Sequence, residues 1–574
     1  MPIHNTEIAD ILDEVADLLD IEGENAFRVR AYRNAARTIR GVARPLHAMV
    51  ATGEDLRAIP GVGEHIAAKI VEIVNTGRLA ALTQLEKQVG SGLADVLRVA
   101  GMGPKRVKTL HGKLGVSSLA DLEKAAAEGK LHHVPGFGVK TEAKVLASVR
   151  ERMSREEQRT RWADAEPTAR AIAEYLRATP DVAAVEIAGS FRRCKETVGD
   201  LDVLAASERA AAVGRRFVAY EDVDEILSQG PTRASVRLRS GMQVDMRVVP
   251  PRSFGSALHY LTGSKAHNIA VRKLGVERGL KINEYGVFRG RNRLGGRTES
   301  EVYASVGLHF VEPELREDRG EIEAARTGRL PNLVTLSSIR GDLHVHTDAT
   351  DGHDTLEAMV RAAAERGYEY VAISDHTQNA RVAGGLDARA MRRHLKRIER
   401  LRSRVDSITV LASAEVDILK DGSLDLPDEL LRELDVVVCA VHDRLDLPAE
   451  KQTARILRAM DHPSFHILAH ATGRLINERS PSELDLEHVI RHAVERGVAL
   501  ELNAQPARLD LSDVHCRAAR DAGARIAIST DAHGVGQLDY MRYGVGQARR
   551  GWLEPKDVLN CRPWKEAHKL LRRN

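Results

Sequence analysis

The segment GDLHVHTDATDGHDT, residues 341–355, concentrates side chains that bind metal ions. It places His344 and His346 two positions apart and adds Asp351 shortly afterwards. Imidazole and carboxylate ligands without thiolates favour zinc, manganese or iron over a structural thiolate-zinc site. A lone histidine is usually a cap or a hydrogen-bond donor, but similar residues recur in order as far as His533. The recurrence indicates a metal centre assembled from distant parts of the chain.

The candidate ligands share one feature, because each lies at or after an apolar, strand-like run. They are His344, His346, Asp351, His376, Glu415, His442, His470, Asp531 and His533. Nine candidates exceed what one ion uses, so two or three ions are expected. Neighbouring metal ions can activate a water molecule and clamp the attacking and leaving oxygens of a phosphoester. Asp348, His353 and Asp417 lie beside the set and are expected to cap loops or to orient ligands.

A second set of carboxylates lies in the middle of the chain. The phrase AGSFRRCKETVGDLDVL carries Gly189 and Ser190, then two arginines, then Asp200 and Asp202. Side chains two apart on a strand share a face, so both carboxylates point the same way. Asp245 lies on another predicted strand, where a buried carboxylate without a metal or arginine partner would be costly. These residues could hold two divalent ions bridged by a nucleoside triphosphate. The alternative is a surface hairpin with solvated carboxylates.

The hydrophobic pattern predicts the elements that position both sets. After residue 339, strand-like runs alternate with helical segments over about 230 residues, which predicts a parallel α/β barrel. Loops after the carboxyl ends of barrel strands converge, so ligands distant in sequence would share one pocket. From about Ala183 onward, β-branched runs predict a small sheet with flanking helices. Residues 321–338 are expected to form a linker.

The first quarter of the chain is predicted to be helical and repeats one phrase. AIPGVGEHIAAKI, RVAGMGPKRVKTL and HHVPGFGVKTEAKVL each contain a glycine turn before a helix. Such a hairpin presents backbone amides to a phosphate without reading bases. One phrase alone could be a turn in a helical bundle, but the repetition favours binding to the DNA backbone. The candidate contacts are Gly61, Gly63, Gly101, Gly103, Lys105 and Arg106.

Composition sets outer limits on these interpretations. A chain of 574 residues, 43% hydrophobic and 29% charged, is typical of several globular domains. The formal charge of +3 neither supports nor excludes a nucleic-acid partner. The four cysteines form no C-x-x-C pair, so neither a disulfide scaffold nor a thiolate zinc site is expected. No signal peptide and no apolar run of about 18 residues is found, so we expect a cytoplasmic protein without a membrane span.

The downstream motifs HVH, SDHT, AEVDIL, AVH, AHATGR and STDAH resemble those of the polymerase and histidinol phosphatase (PHP) domain family, over residues 339–574. The resemblance implies a distorted seven-stranded (β/α)7 barrel that hydrolyses phosphoesters with up to three metal ions. It makes the nine residues above the ligands, here of Mn²⁺ and/or Zn²⁺. Arg474 becomes a candidate phosphate contact, with a surface salt bridge as the alternative. Ala471 replaces a proline that many relatives have.

The middle motifs GSFRR, GDLDVL, DMR, YLTGS and INEYG resemble nucleotidyltransferases of the DNA polymerase beta kind, the family X DNA polymerases. The resemblance makes Asp200, Asp202 and Asp245 the catalytic carboxylates that hold two Mg²⁺ or Mn²⁺ ions. It makes Ser190, Arg193 and Gly199 contacts of the triphosphate, near Gly189. Sugar, base and template contacts would be Tyr260, Gly263, Asn268 and Arg272. Leu261 stands where the family often has phenylalanine, which affects sugar selection.

The phrase RAYRNAARTI followed by GVGEHIAAKI resembles the small domain of DNA polymerase beta, which binds a 5′ phosphate and carries a lyase lysine. The resemblance places Lys69 at the Schiff-base position. The alternative is a lysine that only contacts phosphate. His65 stands at another position where the family has lysine.

Together the resemblances imply an α-helical helix-hairpin-helix DNA-binding region, an α+β nucleotidyltransferase palm with thumb, and an α/β PHP barrel. The expected boundaries are 1–82 (lyase-like), 83–150 (fingers), 151–258 (palm), 259–320 (nucleotide-selecting), 321–338 (linker) and 339–574 (PHP). This is the arrangement of bacterial and archaeal family X DNA polymerases.

The implied function is a monomeric base-excision-repair enzyme that fills gapped or nicked duplex DNA from deoxynucleoside triphosphates. The barrel would be a Mn²⁺-dependent 3′–5′ exonuclease, with apurinic endonuclease or 3′ phosphatase activity as further options. One alternative is a DNA-bound PHP phosphoesterase whose polymerase-like part is a scaffold without synthesis. Another is an active polymerase whose barrel metals are structural.

Overall fold

The computed structural model describes residues 5–42, 44, 46–76, 78–89, 92–97, 99, 102–155 and 159–571. The chain divides into two compact units, Met1–Arg159 and Thr160–Asn574. Among the described residues, no helix combines the length and the apolarity that crossing a membrane requires. The four cysteines, all of them described, are free.

The first unit is helical where it is described, as predicted. Its helices are α1 (Asn5–Glu22), α2 (Ala26–Arg40), α3 (Leu46–Ala51), α4 (Glu64–Thr76), α5 (Ala80–Val89), α6 (Leu93–Leu97), α7 (Pro104–Leu114), α8 (Leu119–Ala127) and α9 (Val139–Arg155). Apolar residues three or four positions apart, such as Ile8, Leu12 and Val15 of α1, are buried and share one core with Val29 and Tyr32 of α2. Amphipathic periodicity therefore builds this unit.

The second unit begins with a palm-like sheet. Its elements are β1 (Thr160–Arg161), α10 (Trp162–Arg177), β2 (Ala184–Ile187), α11 (Gly189–Arg192), β3 (Thr197–Val198), β4 (Asp200–Ala206), α12 (Ala210–Val218), β5 (Val223–Gln229), β6 (Arg233–Leu238) and β7 (Gln243–Val249). One sheet has the order β2-β4-β7-β6-β5, and in it only β4 and β7 are parallel across these fully described strands. The two strands that carry the predicted aspartates are therefore direct neighbours.

A thumb-like region follows the sheet. It consists of α13 (Phe254–Thr262), α14 (Lys265–Glu277), β8 (Lys281–Asn283), β9 (Gly286–Arg289), β10 (Asn292–Gly295), α15 (Glu299–Ser305) and α16 (Glu321–Thr327). The segment 321–338, expected as a linker, differs from that expectation. It starts with helix α16, and Ala325, Leu333 and Val334 are buried. Apolar side chains on this charged segment pack into cores, so it joins its neighbours firmly.

The last part of the chain is the predicted α/β barrel. Its elements are β11 (Gly341–Val345), α17 (Leu356–Glu365), β12 (Tyr370–Ile373), α18 (Ala388–Arg402), β13 (Thr409–Asp417), α19 (Asp428–Leu431), β14 (Val436–Ala440), α20 (Ala449–Met460), β15 (Ile467–Leu468), α21 (Leu486–Arg496), β16 (Ala499–Asn503), α22 (Asp513–Asp521), β17 (Ile526–Ser529), α23 (Met541–Arg550) and α24 (Trp564–Leu571). Across residues 339–571, all described, seven parallel strands run in the order β11 to β17.

The barrel is nearly closed. A parallel bridge joins Val345, the last residue of β11, to Ala532, three residues beyond the end of β17. The strands are buried along their whole lengths, with few exceptions such as Thr409, as expected for parallel strands covered by helices. The multidomain fold class predicted from the sequence is confirmed.

Candidate metal centres

The predicted imidazole and carboxylate ligands of the barrel lie at one end of it. His344 lies in β11, Glu415 lies in β13, and the others follow strand ends. In chain order, His346 and Asp351 follow β11, His376 follows β12, His442 follows β14, His470 follows β15, and Asp531 and His533 follow β17. Because the carboxyl ends of parallel strands open onto the same rim, side chains as distant in the chain as His344 and His533 meet there.

These side chains form three overlapping groups whose ligand atoms lie within 4.8 Å of one another. The groups are His346, Asp351, His376 and His533; His344, His346 and Asp531; and His376, Glu415 and His442. The remaining candidate, His470, approaches through its Nε2, which lies 2.9 Å from Oε1 of Glu415. The structure thus brings all the predicted barrel ligands into one cluster.

The donor geometry around Glu415 fits a shared cation. Its Oε2 lies 2.8 Å from Nδ1 of His376, at ion-pair distance, yet neither of these buried atoms has a hydrogen-bond partner of suitable geometry. Nε2 of His344 and Nε2 of His346 lie within hydrogen-bond distance at 3.1 Å, whereas Nδ1 of His346 is buried without a hydrogen-bond partner. Buried polar atoms are normally paired, so donors that converge without pairing indicate a missing common partner. The residues present therefore fit metal ions.

Charge in the cluster is balanced by close opposite partners. Burial opposes ionisation of Glu415, but His442, His376 and His344 hold its pKa well below its usual range. Burial, together with the neighbouring charge on His376, lowers the pKa of His346 to about 4. A neutral imidazole keeps a nitrogen lone pair for a metal ion, and an ionised carboxylate is a strong oxygen ligand.

Several ligands are held in place by buried partners. Nδ1 of His344 donates to Oε1 of Glu501 at 2.8 Å, and Nδ1 of His442 donates to Oδ1 of Asp417 at 2.6 Å. Each contact leaves Nε2 free to face the cluster and fixes the ring orientation. Asp417 therefore has the orienting position that its place beside the ligands predicted.

Strand β16 contributes partners of the ligands. Nδ2 of Asn503 donates to Oδ2 of Asp531 at 3.0 Å and to Oε2 of Glu501 at 3.1 Å. The sequence interpretation missed both residues, although ALELN shows a glutamate and an asparagine two apart on an otherwise apolar strand. That spacing puts both side chains on one face of the strand, where buried polar groups need partners.

Two ligands have strained backbones. The φ angles of His470 and Asp531 are 24° and 52°, in a region that residues with side chains rarely adopt. Such conformations persist where the surroundings over-determine them, and they concentrate at functional sites. Here they turn the chain immediately after β15 and β17, so both side chains project into the cluster.

Arg474, expected to contact phosphate, has a different environment. Its Nη2 donates to Oε2 of Glu196 at 2.7 Å, and its Nε donates to the carbonyl of Arg508 at 2.9 Å. Glu196 directly follows GSFRRCK in the palm, whereas Arg508 belongs to the barrel. The guanidinium of Arg474 therefore bridges the barrel and the palm. Instead, the structure places Arg508 next to the cluster, with Nε 3.8 Å from Oδ2 of Asp531.

The palm aspartates meet through strand register. Asp202 pairs with Asp245 across the parallel strands β4 and β7, and Asp200 lies two positions earlier on the same face as Asp202. A Cβ at Gly189 would lie 2.2 Å from Oδ2 of Asp202, and the φ of Gly189 is +61°. Only glycine can therefore bring this loop so close to the carboxylate.

Repulsion among these carboxylates is visible in the pKa of Asp202. Burial, together with the like charges of Asp200 and Asp245, raises that pKa to about 7. A divalent cation would relieve this repulsion and favour ionisation. The residues therefore also fit metal ions, through oxygen ligands alone.

Both arginines of GSFRR are engaged within the unit. Arg192 donates to both carboxylate oxygens of Glu299 at 2.9 and 2.7 Å. Nε of Arg193 donates to Oε1 of Glu317 at 3.0 Å, and its Nη1 donates to the carbonyl of Thr262. Arg193 thus lies beside the YLTGS segment and does not point freely into solvent.

The other residues predicted to contact the nucleotide are Ser190, Gly199, Tyr260, Gly263, Asn268 and Arg272. Ser190 is half-buried and Gly199 is exposed. Tyr260 lies on α13 and is 37% exposed, and its carbonyl accepts from Nδ2 of Asn268 at 2.7 Å. Gly263 ends α13 with a φ of 68°. Arg272 is exposed on α14, one turn after Asn268 and on the same face.

The first unit contains the glycine turns as predicted, except that Gly101 lies outside the described residues. Gly61 has a φ of 82° just before α4, with Gly63 following it, and Gly103 caps α7, whose first turn carries Lys105 and Arg106. Nη2 of Arg106 donates to the carbonyl of Gly136 in the third glycine turn at 3.3 Å.

The two positions at which the DNA polymerase beta family has lysine both lie on helix α4. Lys69 is half-buried, and His65, one turn earlier on the same side of α4, is exposed.

The chain matches four family descriptions. Residues 3–79 match a helix-hairpin-helix domain, residues 93–151 a SAM-like helix-hairpin-helix tandem, residues 257–317 the DNA polymerase beta thumb and residues 342–505 the PHP domain.

Relatives extend these matches. DNA polymerase/3′-5′ exonuclease PolX of Bacillus subtilis (strain 168) is 36% identical over 577 residues, covering 100% of both chains. DNA polymerase lambda of Rattus norvegicus is 27% identical over 55% of this chain and 56% of its own length. A probable phosphatase of Syntrophotalea carbinolica is 29% identical over 38% of this chain and 90% of its own length.

Proposed function

The chain belongs to the PolX family of DNA polymerases and 3′–5′ exonucleases, and we propose which residues carry each activity. It is a DNA-directed DNA polymerase joined to a metal-dependent phosphoesterase domain. Polymerisation takes place on the palm, and hydrolysis takes place at the open end of the barrel. The observation that carries this proposal is the presence of two separate ligand sets, one of aspartates and one rich in histidine.

In the polymerase reaction, Asp200, Asp202 and Asp245 would hold two Mg²⁺ or Mn²⁺ ions, which when bound would stabilise charge on the triphosphate and on the primer 3′ oxygen. Asp245 favours loss of the 3′ hydroxyl proton. The amides after Gly189, which has no side chain, approach the phosphates closely. Ser190 and Gly199 contact the triphosphate, and Arg193 neutralises charge on it. These roles rest on position in the strand register and on the resemblance of GSFRR and GDLDVL to family X polymerases.

Nucleotide selection falls to the surface of α13 and α14. Tyr260 and Asn268 are joined by a hydrogen bond and together face the incoming sugar and base, next to the turn at Gly263. Arg272 lies one turn further along α14 and contacts the template side. The substrates are deoxynucleoside triphosphates and gapped or nicked duplex DNA.

In the hydrolytic reaction, the barrel cluster would hold two or three ions, with Mn²⁺ and/or Zn²⁺ favoured by the chemistry of the ligands. When bound, these ions would supply a nucleophilic water and clamp the phosphoester. Glu501 and Asp417 keep the imidazoles of His344 and His442 aimed at the cluster. Arg508, beside Asp531, neutralises the phosphate of the DNA end in place of Arg474.

Phosphomonoesters form a second substrate class for the barrel. A stretch of 38% of this chain matches 90% of the length of a protein described as a probable phosphatase. A 3′ phosphate blocks extension, so its removal by the same cluster would prepare a gap for the palm. A primer with a 3′ phosphate and one with an abasic end distinguish phosphatase and endonuclease action from exonuclease action.

The two-site assignment is tested with a 5′-labelled primer on a one-nucleotide gap in Mn²⁺, with and without nucleotides. We expect Asp202→Ala to abolish extension and to spare shortening of the primer. We expect His344→Ala to do the reverse, because His344 belongs to the buried barrel cluster. Loss of both activities in either folded variant would refute the assignment of separate sites.

A further inference from the structure

Helix α23 of the PHP domain packs directly against the polymerase part of the chain. Its Gly546 lies so close to the palm that an added Cβ would lie 2.7 Å from the ring of Trp162 and 3.2 Å from Cβ of Cys194. The ring of Trp162 also meets that of Tyr543 edge-to-face at 5.1 Å. Because Cys194 directly follows Arg193, this contact lies next to the loop that carries Arg193.

Arg550, at the end of α23, reaches into that loop. It is only 5% exposed. Its Nη1 donates to the carbonyl of Arg193 at 2.8 Å and to Oε1 of Glu317 at 3.0 Å, and its Nη2 donates to Oδ2 of Asp513 at 2.8 Å. One buried side chain therefore joins the barrel, the thumb segment and the nucleotide-binding loop.

Glu317 is shared between two arginines. Nε of Arg193 and Nη1 of Arg550 both lie 3.0 Å from the same oxygen, Oε1. Burial opposes ionisation of Glu317, but Arg550 and Arg193 hold its pKa at about 2. If Arg193 turned toward a triphosphate, Arg550 would remain as the cation that compensates this carboxylate.

We propose that Arg550 is a positioning residue of the polymerase reaction, supplied by the PHP domain. It fixes the backbone at Arg193 and keeps Glu317 compensated when the guanidinium of Arg193 moves to the triphosphate. Without Arg550, that movement would leave Glu317 buried with no hydrogen-bonded cation and only the more distant charge of Lys195, so Glu317 would retain Arg193 and weaken nucleotide binding. The inference rests on the proposed contact between Arg193 and the triphosphate.

The same geometry explains how one domain influences the chemistry of the other. Arg550 does not belong to the carboxylate or imidazole sets, and it acts through Glu317 and the carbonyl of Arg193. Its effect is therefore on nucleotide affinity. Hydrolysis at the barrel cluster uses none of these contacts.

The test measures nucleotide KM and kcat for filling a one-nucleotide gap with the full-length protein. Arg550→Met keeps an apolar stem and removes the charge, and we expect KM to rise on the order of tenfold with a smaller change in kcat. Arg550→Lys should restore most of the wild-type KM. Arg542→Ala is the matched control, because Arg542 lies on the same helix and pairs with Glu166 at 2.8 Å without touching the loop. Its KM should stay at the wild-type value.

The variant Glu317→Gln provides an independent test of the role of Arg550. Removing the negative charge frees Arg193, so the single variant should not raise KM, and it should suppress the effect of Arg550→Met in the double variant. A structural role for Arg550 would not be suppressed in this way. Shortening of the primer without nucleotides, which the barrel performs, reports folding of every variant.

The outcomes separate the two proposals. If Arg193→Ala leaves KM unchanged, the proposed triphosphate contact is wrong. If Arg193→Ala raises KM while Arg550→Met behaves like Arg542→Ala, the positioning role of Arg550 is overturned. If Arg550→Met does not fold, a raised KM in Glu317→Gln overturns the inference, and an unchanged or lowered KM supports it.

Discussion

The two candidate metal centres of this chain differ in donors and in burial. The barrel cluster combines six imidazoles with three carboxylates, and its members are mostly buried. The palm set consists of three half-buried aspartates. Nitrogen-rich, enclosed sites favour transition metals that stay bound, whereas open oxygen sites suit ions that keep waters and substrate phosphates. We therefore expect metal ions that stay bound in the barrel and metal ions that arrive with the nucleotide on the palm.

The two sites also differ in how the negative charge of their carboxylates is compensated. In the barrel, each carboxylate is surrounded by imidazoles, so the pKa of Asp531 is also held well below its usual range, against burial, by His344 and His346. On the palm, the aspartates face one another and the pKa of Asp202 rises to about 7 through burial and through Asp200 and Asp245. In the barrel, neighbouring imidazoles therefore already compensate the charge of the carboxylates. On the palm, a bound cation is needed to compensate the charge of the aspartates.

The largest expected effect breaks the barrel side of this comparison. Glu415→Gln removes the carboxylate around which the imidazoles of His376, His442 and His470 converge. We expect metal retained after desalting, measured by inductively coupled plasma mass spectrometry, to fall by at least one ion per chain. Primer shortening should fall by more than about 100-fold.

Two controls accompany Glu415→Gln. Glu450→Gln changes an exposed residue of the outer helix α20 and should retain all of the metal. Asp202→Asn should also retain it, because the palm ions are expected to arrive with nucleotide. A wild-type chain that loses all metal on desalting would contradict the idea of resident barrel ions.

A smaller effect is expected from the partners of the ligands. Glu501→Gln leaves the hydrogen-bond acceptor of His344 in place but removes its charge, and it perturbs the contact to the backbone amide of His470. Such partners typically alter metal affinity or activity by about 10- to 100-fold. We expect primer shortening to fall in that range and gap filling to stay unchanged. Equal losses in both assays would mean that Glu501 supports the fold as a whole.

The palm is tested by pH in the absence of metal. The folded-state pKa of Asp202, about 7, exceeds the ordinary value of 3.8. A carboxyl with a raised pKa binds its proton more tightly in the folded state, so stability is greatest below the ordinary pKa and falls as pH rises through about 7. Asp202→Asn removes this loss. In EDTA, we expect the variant to gain roughly 1–3 kcal/mol over wild type at pH 8 and little at pH 4.

Thermal or urea unfolding at several pH values measures this difference. Asp224→Asn, at an exposed position of β5, is the control and should give the same difference at every pH. A gain for Asp202→Asn that did not grow with pH would show that the three aspartates do not repel one another in the folded chain.

The smallest expected effect concerns the first unit. Lys69 is half-buried on α4, and we expect Lys69→Ala to leave gap filling within about twofold of wild type, because the residue belongs to neither metal site. Borohydride trapping on a 5′ deoxyribose phosphate end tests the lyase role separately. An adduct in wild type that is absent from the variant would assign the Schiff base to Lys69, and an adduct in neither would remove that role.

The convergence of the candidate ligands could be predicted from the sequence, and the physical reason is periodicity. Asp200 and Asp202 share a face because strand side chains alternate, and His344 to His533 converge because parallel barrel strands end at one rim. These rules depend on local pattern and on strand order. The structure therefore brings together all nine barrel candidates around His346, His376 and Glu415, as the sequence predicted.

Contacts between distant segments could be decided only by the tertiary structure. Arg474 reads as a phosphate ligand beside His470, yet it pairs with Glu196 at 2.7 Å, 278 positions away in the chain. Arg550 meets Arg193 across 357 positions. Such pairs leave no repeating signal in the sequence, because they depend on how α23 packs on the palm. Local residue types and their spacing thus determined which side chains form each candidate site. The contacts that connect the two sites were decided by tertiary packing.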